Sequence, residues 1–238
     1  MFVQLPLKIG LRDDACFETF VTEKESLALA FNGLQGALMQ SNGRAFYLHG
    51  DSGVGKTHLL QASCRFVTEQ GKASVYLPFE DHSLPLIPDV LMGLEQMPLV
   101  CLDDMPQIIG QKKWEQSLAN LITKISVQGH TLILAGQQPI NDWNIVTTDL
   151  AKALMTVLPI EMQALEEKEE IIFALQRHSL RLGFELPNDV GNYLIKTFST
   201  DLQELLAVLK LLEQATLVEK RRLTLPFVKQ VLNANVSV

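Results

Sequence analysis

Basic residues are scarce in this chain. Twenty Lys and Arg stand against 27 Asp and Glu, for a net charge of −7. A broad phosphate-backbone footprint needs clustered cations, so little direct DNA binding is expected. The one basic run, Lys220-Arg221-Arg222, reads as a solvated helix end. Arginine is missing altogether between Arg65 and Arg177. Cysteine is sparse too: Cys16, Cys64 and Cys101 lie far apart with no CxxC pair. That spacing excludes a disulfide framework and fits reduced, packed thiols in a cytoplasmic protein. No apolar run approaches the ~18 residues a membrane span needs. The start, Met1-Phe2-Val3-Gln4-Leu5-Pro6-Leu7, lacks the basic stretch and the length of a secretion signal. No His/Cys cluster suggests a transition-metal centre. Apolar residues, by contrast, are plentiful at 47% of the chain, enough for one large core or two smaller ones.

Against these absences one run stands out. Gly50-Asp51-Ser52-Gly53-Val54-Gly55-Lys56-Thr57 fits G-x-x-x-x-G-K-[ST], the phosphate-binding P-loop. Glycines let the backbone curl so that consecutive N–H groups can face a phosphate. The loop then feeds a helix whose N-terminal dipole favours negative charge. In this motif Lys56 reaches the β- and γ-phosphates and the Thr57 hydroxyl binds Mg²⁺. The context agrees: Ala45-Phe46-Tyr47-Leu48-His49 reads as a short buried strand, and residues 58–67 follow with helical spacing.

The rest of the first two thirds alternates in the same way. The periodicity predicts a tail over 1–15, a helix over about 24–40, and strands at 74–78, 98–104, 131–136 and 156–160. A short helix is expected over 87–94 and a longer one over 113–127. Several strands are continuous apolar runs, which implies a parallel sheet covered on both faces. After Pro159 only helical periodicity remains, in four segments from about 167 to 232. The expected architecture is therefore α/β, a P-loop sheet over 16–160, followed by a small all-helical lid over 161–238.

A second half of a nucleotide site lies about 50 residues after the loop. The apolar strand Leu99–Leu102 ends in Asp103-Asp104. At such a strand end the first carboxylate holds Mg²⁺, and the second orients or deprotonates an attacking water. Phe17 and Phe20 precede the first helix; adenine packing and core packing remain equally open for them.

This layout resembles the AAA+ class. Asp103-Asp104 followed by Ile108, Ile109 and Gly110, and Gly50 to His58 with Leu59-Leu60, are similar to the DnaA/Hda family. The segments Arg181-Leu182-Gly183-Phe184-Glu185-Leu186-Pro187-Asn188-Asp189 and Leu223-Thr224-Leu225-Pro226-Phe227 resemble the lid of its small paralogues, which have a short tail and no DNA-binding helix-turn-helix. The resemblance covers essentially the whole chain. It implies ADP or ATP bound with Mg²⁺ by residues 50–57 and His58. It also implies docking on the DNA polymerase sliding clamp and stimulation of ATP hydrolysis by a DnaA-type initiator, which prevents re-initiation. In the family the clamp takes an N-terminal Q-L-x-L peptide, and Gln4-Leu5-Pro6-Leu7 occupies that place. Self-association is expected as well, because AAA+ sites form between subunits.

Three departures from the family pattern lower the expected turnover. The arginine-finger position holds Ala153, with Lys152 the nearest cation. The lid arginine is replaced by Gln203. The Asp-Arg-Pro after the fourth strand is Gln137-Gln138-Pro139. A guanidinium fork has no equal among the replacements for stabilising phosphate charge. Weak or no intrinsic ATPase activity is expected, with Asp104 and Gln137 as the remaining catalytic side chains. Two alternatives stay open: an active ATPase of helicase-loader type, and a degenerate paralogue that binds nucleotide and partner without stimulating hydrolysis.

Overall fold

The computed structural model describes residues 15–21, 25–40, 42–80 and 86–236. The tail with Gln4-Leu5-Pro6-Leu7 lies outside them. The described residues form two compact units. One holds 15–17 and 25–163; the other holds 18–21 and 164–236. The short segment 18–21 thus belongs with the helical unit rather than with the sheet, and the carbonyl of Glu18 accepts a hydrogen bond from Arg177 Nη1 at 2.6 Å.

In the first unit five strands form one sheet: β1 (Ala45–His49), β2 (Ser74–Pro78), β3 (Leu99–Asp103), β4 (Thr131–Gly136) and β5 (Val157–Glu161). Their order is β2-β3-β4-β1-β5 and every pairing is parallel. The helices are α1 (Glu25–Gln40), α2 (Lys56–Glu69), α3 (Lys112–Gln128) and α4 (Thr148–Leu154). Side chains alternate across each strand. Ala45, Tyr47, Val100, Leu102, Leu132 and Leu134 pack with α3 residues Trp114, Leu118, Leu121 and Ile125 in one core. The intervening residues face the other way, where the Cys101 thiol reaches the Leu60 carbonyl of α2. Burial on both faces explains why β1, β3 and β4 are almost uniformly apolar. Pro159 sits in β5, an edge strand, where a missing N–H is tolerated.

Three local details differ from the sequence expectation. The helix expected over 87–94 is two 3-10 turns, Pro88–Leu91 and Leu94–Gln96, separated by Gly93 at φ 84°. Strand β3 stops at Asp103 because Asp104 turns into the left-handed region, φ 58° and ψ 45°. A helix absent from the periodicity reading, α4, occupies the segment around Lys152; it is only seven residues long.

The second unit consists of α5 (Lys168–Arg181), α6 (Asn188–Thr197), α7 (Leu202–Glu219) and α8 (Leu225–Val236). Their apolar stripes meet in a separate core containing Ile171, Leu175, Leu194, Leu205, Leu209 and Phe227. Asp201 caps α7, accepting from the N–H groups of Gln203 at 2.7 Å and Glu204 at 3.2 Å.

Candidate nucleotide site

The strand order explains where the site lies. β1 leads into α2, but the chain then passes β4 and β3 before entering β2. The carboxyl ends of β1 and β3 therefore flank that of β4, at a point where the connections diverge. Such a switch point opens a crevice in an open parallel sheet. The two sequence motifs stand at those two strand ends.

In the loop, Gly50, Gly53 and Gly55 all have positive φ, at 147°, 85° and 94°. Gly50 admits no side chain for a second reason: a Cβ there would sit 2.1 Å from the Met162 carbonyl oxygen. Its N–H donates to the Gln137 carbonyl at 3.1 Å, and the Met162 N–H donates to the His49 carbonyl at 2.7 Å. The loop entrance is thus tied to the strand ends on either side. Gly55 then opens α2, whose first turn contains no acidic residue to oppose the helix dipole. Lys56 is 8% exposed, and its ammonium donates to the carbonyls of Gly50 (2.7 Å) and Asp51 (2.6 Å). Burial holds its pKa below the ordinary lysine value, against the pull of Asp103, Asp104 and Asp51.

Thr57 joins the two motifs. Its hydroxyl donates to Asp103 Oδ2 at 2.7 Å, across 46 residues of sequence. Asp103 is 2% exposed. Oδ2 also accepts from the Tyr76 hydroxyl of β2 at 2.9 Å, and Oδ1 accepts from the Asp104 N–H at 3.2 Å. Burial first, then the charge of Asp103, pushes the Tyr76 phenol well above its ordinary value, so it acts as a donor. Asp104 is pushed up to about 6 by burial, with Asp103 and Glu80 adding to the rise and Lys56 opposing it. A carboxylate so tuned suits proton acceptance near neutrality.

The donor set fits a nucleoside polyphosphate with a divalent cation. Three left-handed glycines, a bare helix N-terminus and a buried lysine suit phosphate; a hydroxyl beside a carboxylate suits Mg²⁺.

The other predicted residues divide between the loop and positions away from it. Ser52 and Val54 lie within the loop. His58, in the first turn of α2, has Nε2 3.1 Å from the Cys16 carbonyl. Phe17 is packed edge-on to Phe31 at 5.2 Å and tilted on Phe66 at 5.1 Å, a core role within the α/β unit. Phe20 belongs to the helical unit, as does Gln203, whose backbone N–H is held by Asp201. The Gln137 side chain is exposed beside the loop entrance. Lys152 is exposed on α4 and lines a groove of about 680 Å³ with Gln116, Asn120 and Asp149, while Ala153 packs toward the core.

Sequence reasoning missed three supporting residues. Tyr76 is one; a phenol within an apolar strand needs a partner, and that was the available signal. Glu115 is fully buried and accepts from the N–H groups of Gly110, Val146 and Thr147 and from the Thr147 hydroxyl, at 2.7–3.0 Å. It pins the loop after β3 to the start of α4. Burial pushes its pKa up, but those hydrogen bonds outweigh it and hold the carboxyl below its ordinary value. Gly136 is the third: a Cβ there would lie 2.6 Å from the Tyr47 hydroxyl and 2.9 Å from Pro106 Cδ.

Residues 167–232 match the family model described as Hda, lid domain. Domain III of the Thermotoga maritima replication initiation protein DnaA superposes with a TM-score of 0.70 at 18% identity, covering 94% of this chain and 98% of that one. Residues 167–232 thus form an Hda-type lid, and the chain has a DnaA-type fold. A replication initiator DnaA bound to AMPPCP and single-stranded DNA gives a TM-score of 0.67 at 19% identity, over 89% of this chain and 69% of that one. The Thermotoga maritima RuvB Holliday junction branch migration motor gives 0.64 at 15%, over 92% and 72%. The expected P-loop α/β architecture with a helical lid is therefore correct. Among the described residues no helix is long and apolar enough to cross a membrane.

Proposed function

We propose that this chain is a DnaA/Hda-family AAA+ protein that binds ADP or ATP with Mg²⁺ at residues 50–57. In that state it acts as a regulator of a DnaA-type initiator, promoting the initiator's ATP hydrolysis and limiting re-initiation. The observation that carries the nucleotide reading is the 2.7 Å hydrogen bond from Thr57 to Asp103, which unites a P-loop with a second acidic motif. The regulatory reading is supported by the Hda-type lid.

Within this reading the loop glycines and the start of α2 receive the phosphates, and Lys56 supplies a partly desolvated positive charge. Thr57 and Asp103 hold the cation. Mg²⁺ would neutralise phosphate charge when bound. Asp104 can accept a proton from water. Gln137 and Gln203 supply hydrogen bonds without charge. No arginine occurs between Arg65 and Arg177, so turnover by the protein itself is slow. Gln4-Leu5-Pro6-Leu7 serves as the tether to the sliding clamp: a proline-stiffened peptide loses little entropy on binding, and Leu5 and Leu7 fill apolar pockets. Homo-oligomers form through the AAA+ face.

The test is ATP hydrolysis by the cognate initiator, preloaded with ATP, with DNA-loaded clamp, and with or without this protein. Acceleration that is lost in Lys56→Ala supports the proposal. No acceleration, with nucleotide and clamp binding intact, favours a second reading motivated by Ala153 in α4: a paralogue that occupies the initiator or clamp without activating hydrolysis. Steady-state phosphate release by the isolated protein above the Lys56→Ala control favours an ATPase of helicase-loader type.

A further inference from the structure

The Asp103 carboxylate is held by more groups than the two motifs supply. Oδ2 accepts two hydrogen bonds, from Thr57 Oγ1 and Tyr76 Oη, and Oδ1 accepts one from the Asp104 N–H. The side chain of Gln61, 5% exposed, interacts with the Tyr76 phenol and pulls its pKa down against the effect of burial. Gln61 follows Thr57 by four residues, so both project from one face of α2. Helix α2 therefore reaches Asp103 twice, once directly through Thr57 and once through Gln61 and Tyr76. Strand register makes the second route possible. Tyr76 pairs with Cys101 and Pro78 with Asp103, so the phenol runs along the strand toward the end of β3.

This arrangement has a chemical consequence. A carboxylate oxygen accepts about two hydrogen bonds in its plane. Oδ2 has both, leaving open capacity on Oδ1. Thr57 gives its proton to Asp103 and keeps its own lone pairs. The carboxylate cannot rotate without breaking the Tyr76 bond. We propose that Tyr76, braced by Gln61, is a positioning residue that fixes the Asp103 carboxylate for the divalent cation. Residues one step outside a metal's ligands commonly set its affinity in this way. The inference rests on the nucleotide reading above and adds to it two residues outside both motifs.

Fluorescent ADP binding separates the possibilities, measured in EDTA and across a MgCl₂ titration. For Tyr76→Phe the affinity in EDTA stays that of the wild type, while the Mg²⁺ concentration giving half of the Mg²⁺-dependent gain rises about 10-fold. Gln61→Leu leaves the phenol in place and gives a smaller rise in the same direction. Equal loss of affinity with and without Mg²⁺ marks a merely structural role and overturns the proposal. So does an unchanged Mg²⁺ dependence in a folded Tyr76→Phe variant. Should Tyr76→Phe melt below the assay temperature, Gln61→Leu carries the test, and an unchanged Mg²⁺ dependence there overturns it. Wild-type protein that binds no ADP under either condition refutes the nucleotide reading itself. A wild-type Mg²⁺ gain shared unchanged by both variants refutes only the role of Tyr76.

Discussion

Asp104 is held in an environment that penalises its charge, and replacing it with Asn should stabilise the protein near neutral pH. The carboxyl is raised from an ordinary 3.8 to about 6, by burial first and then by Asp103 and Glu80. In the window between these values the folded chain holds a proton that the unfolded chain has released. Stability therefore falls as pH rises through that window, and the full penalty is present above it. At 1.36 kcal/mol per pKa unit the penalty would approach about 3 kcal/mol if none of it were screened. Asp104 is only partly buried, and screening by solvent reduces the expected gain to about 1 kcal/mol. For a protein of this size that corresponds to a rise of about 2–4 °C in Tm. The backbone at Asp104 has φ 58°, a conformation that Asn tolerates at least as well. A gain from that source would not depend on pH. The decisive measurement is thus the Tm difference between Asp104→Asn and wild type, in EDTA without nucleotide, at pH 7.5 and pH 4. The difference should be positive at pH 7.5 and largely gone at pH 4. An equal difference at both values, or none, would refute the electrostatic account.

Two other substitutions probe the scaffold. Glu115→Ala strands the N–H groups of Gly110, Val146 and Thr147 in the interior and should cost about 3 kcal/mol or more in urea denaturation; a loss under 1 kcal/mol would mean that water replaces the carboxylate. Gly136→Ala forces a methyl against the Tyr47 hydroxyl and Pro106 and should cost about 1–3 kcal/mol, read as a lowered Tm. Relief by Tyr47→Phe in the double variant checks that the phenol is the obstacle.

Much of the site was legible because its chemistry is local. Phosphate recognition needs glycines, a lysine and a hydroxyl within eight consecutive residues, and a helix directly after them. Residues 50–57 carry all of these whatever surrounds them. The strands β1 and β4 were likewise readable to the residue, since burial on both faces demands apolar runs bounded by turn residues; the edge strand β2 was readable from Val75 and Tyr76 following the helix-ending Gly71. The lid was readable as four helices because its apolar stripes repeat at the helical period. Short elements were not. The seven residues of α4 hold too few turns for periodicity to register, and Gly93 divides what looked like one helix into two 3-10 turns.

What sequence alone determined, then, is the presence of a P-loop, an acidic strand end and a helical lid, because each is encoded by neighbours in the chain. The tertiary structure decided how distant segments combine. The order β2-β3-β4-β1-β5 brings the end of β3 within reach of Thr57, and no local pattern specifies which strand lies between them. The same pairing delivers Tyr76 to Asp103 and lets Glu115 collect donors from two loops. Burial sets the charge of Asp104, and burial is a property of the packed chain rather than of any stretch of it.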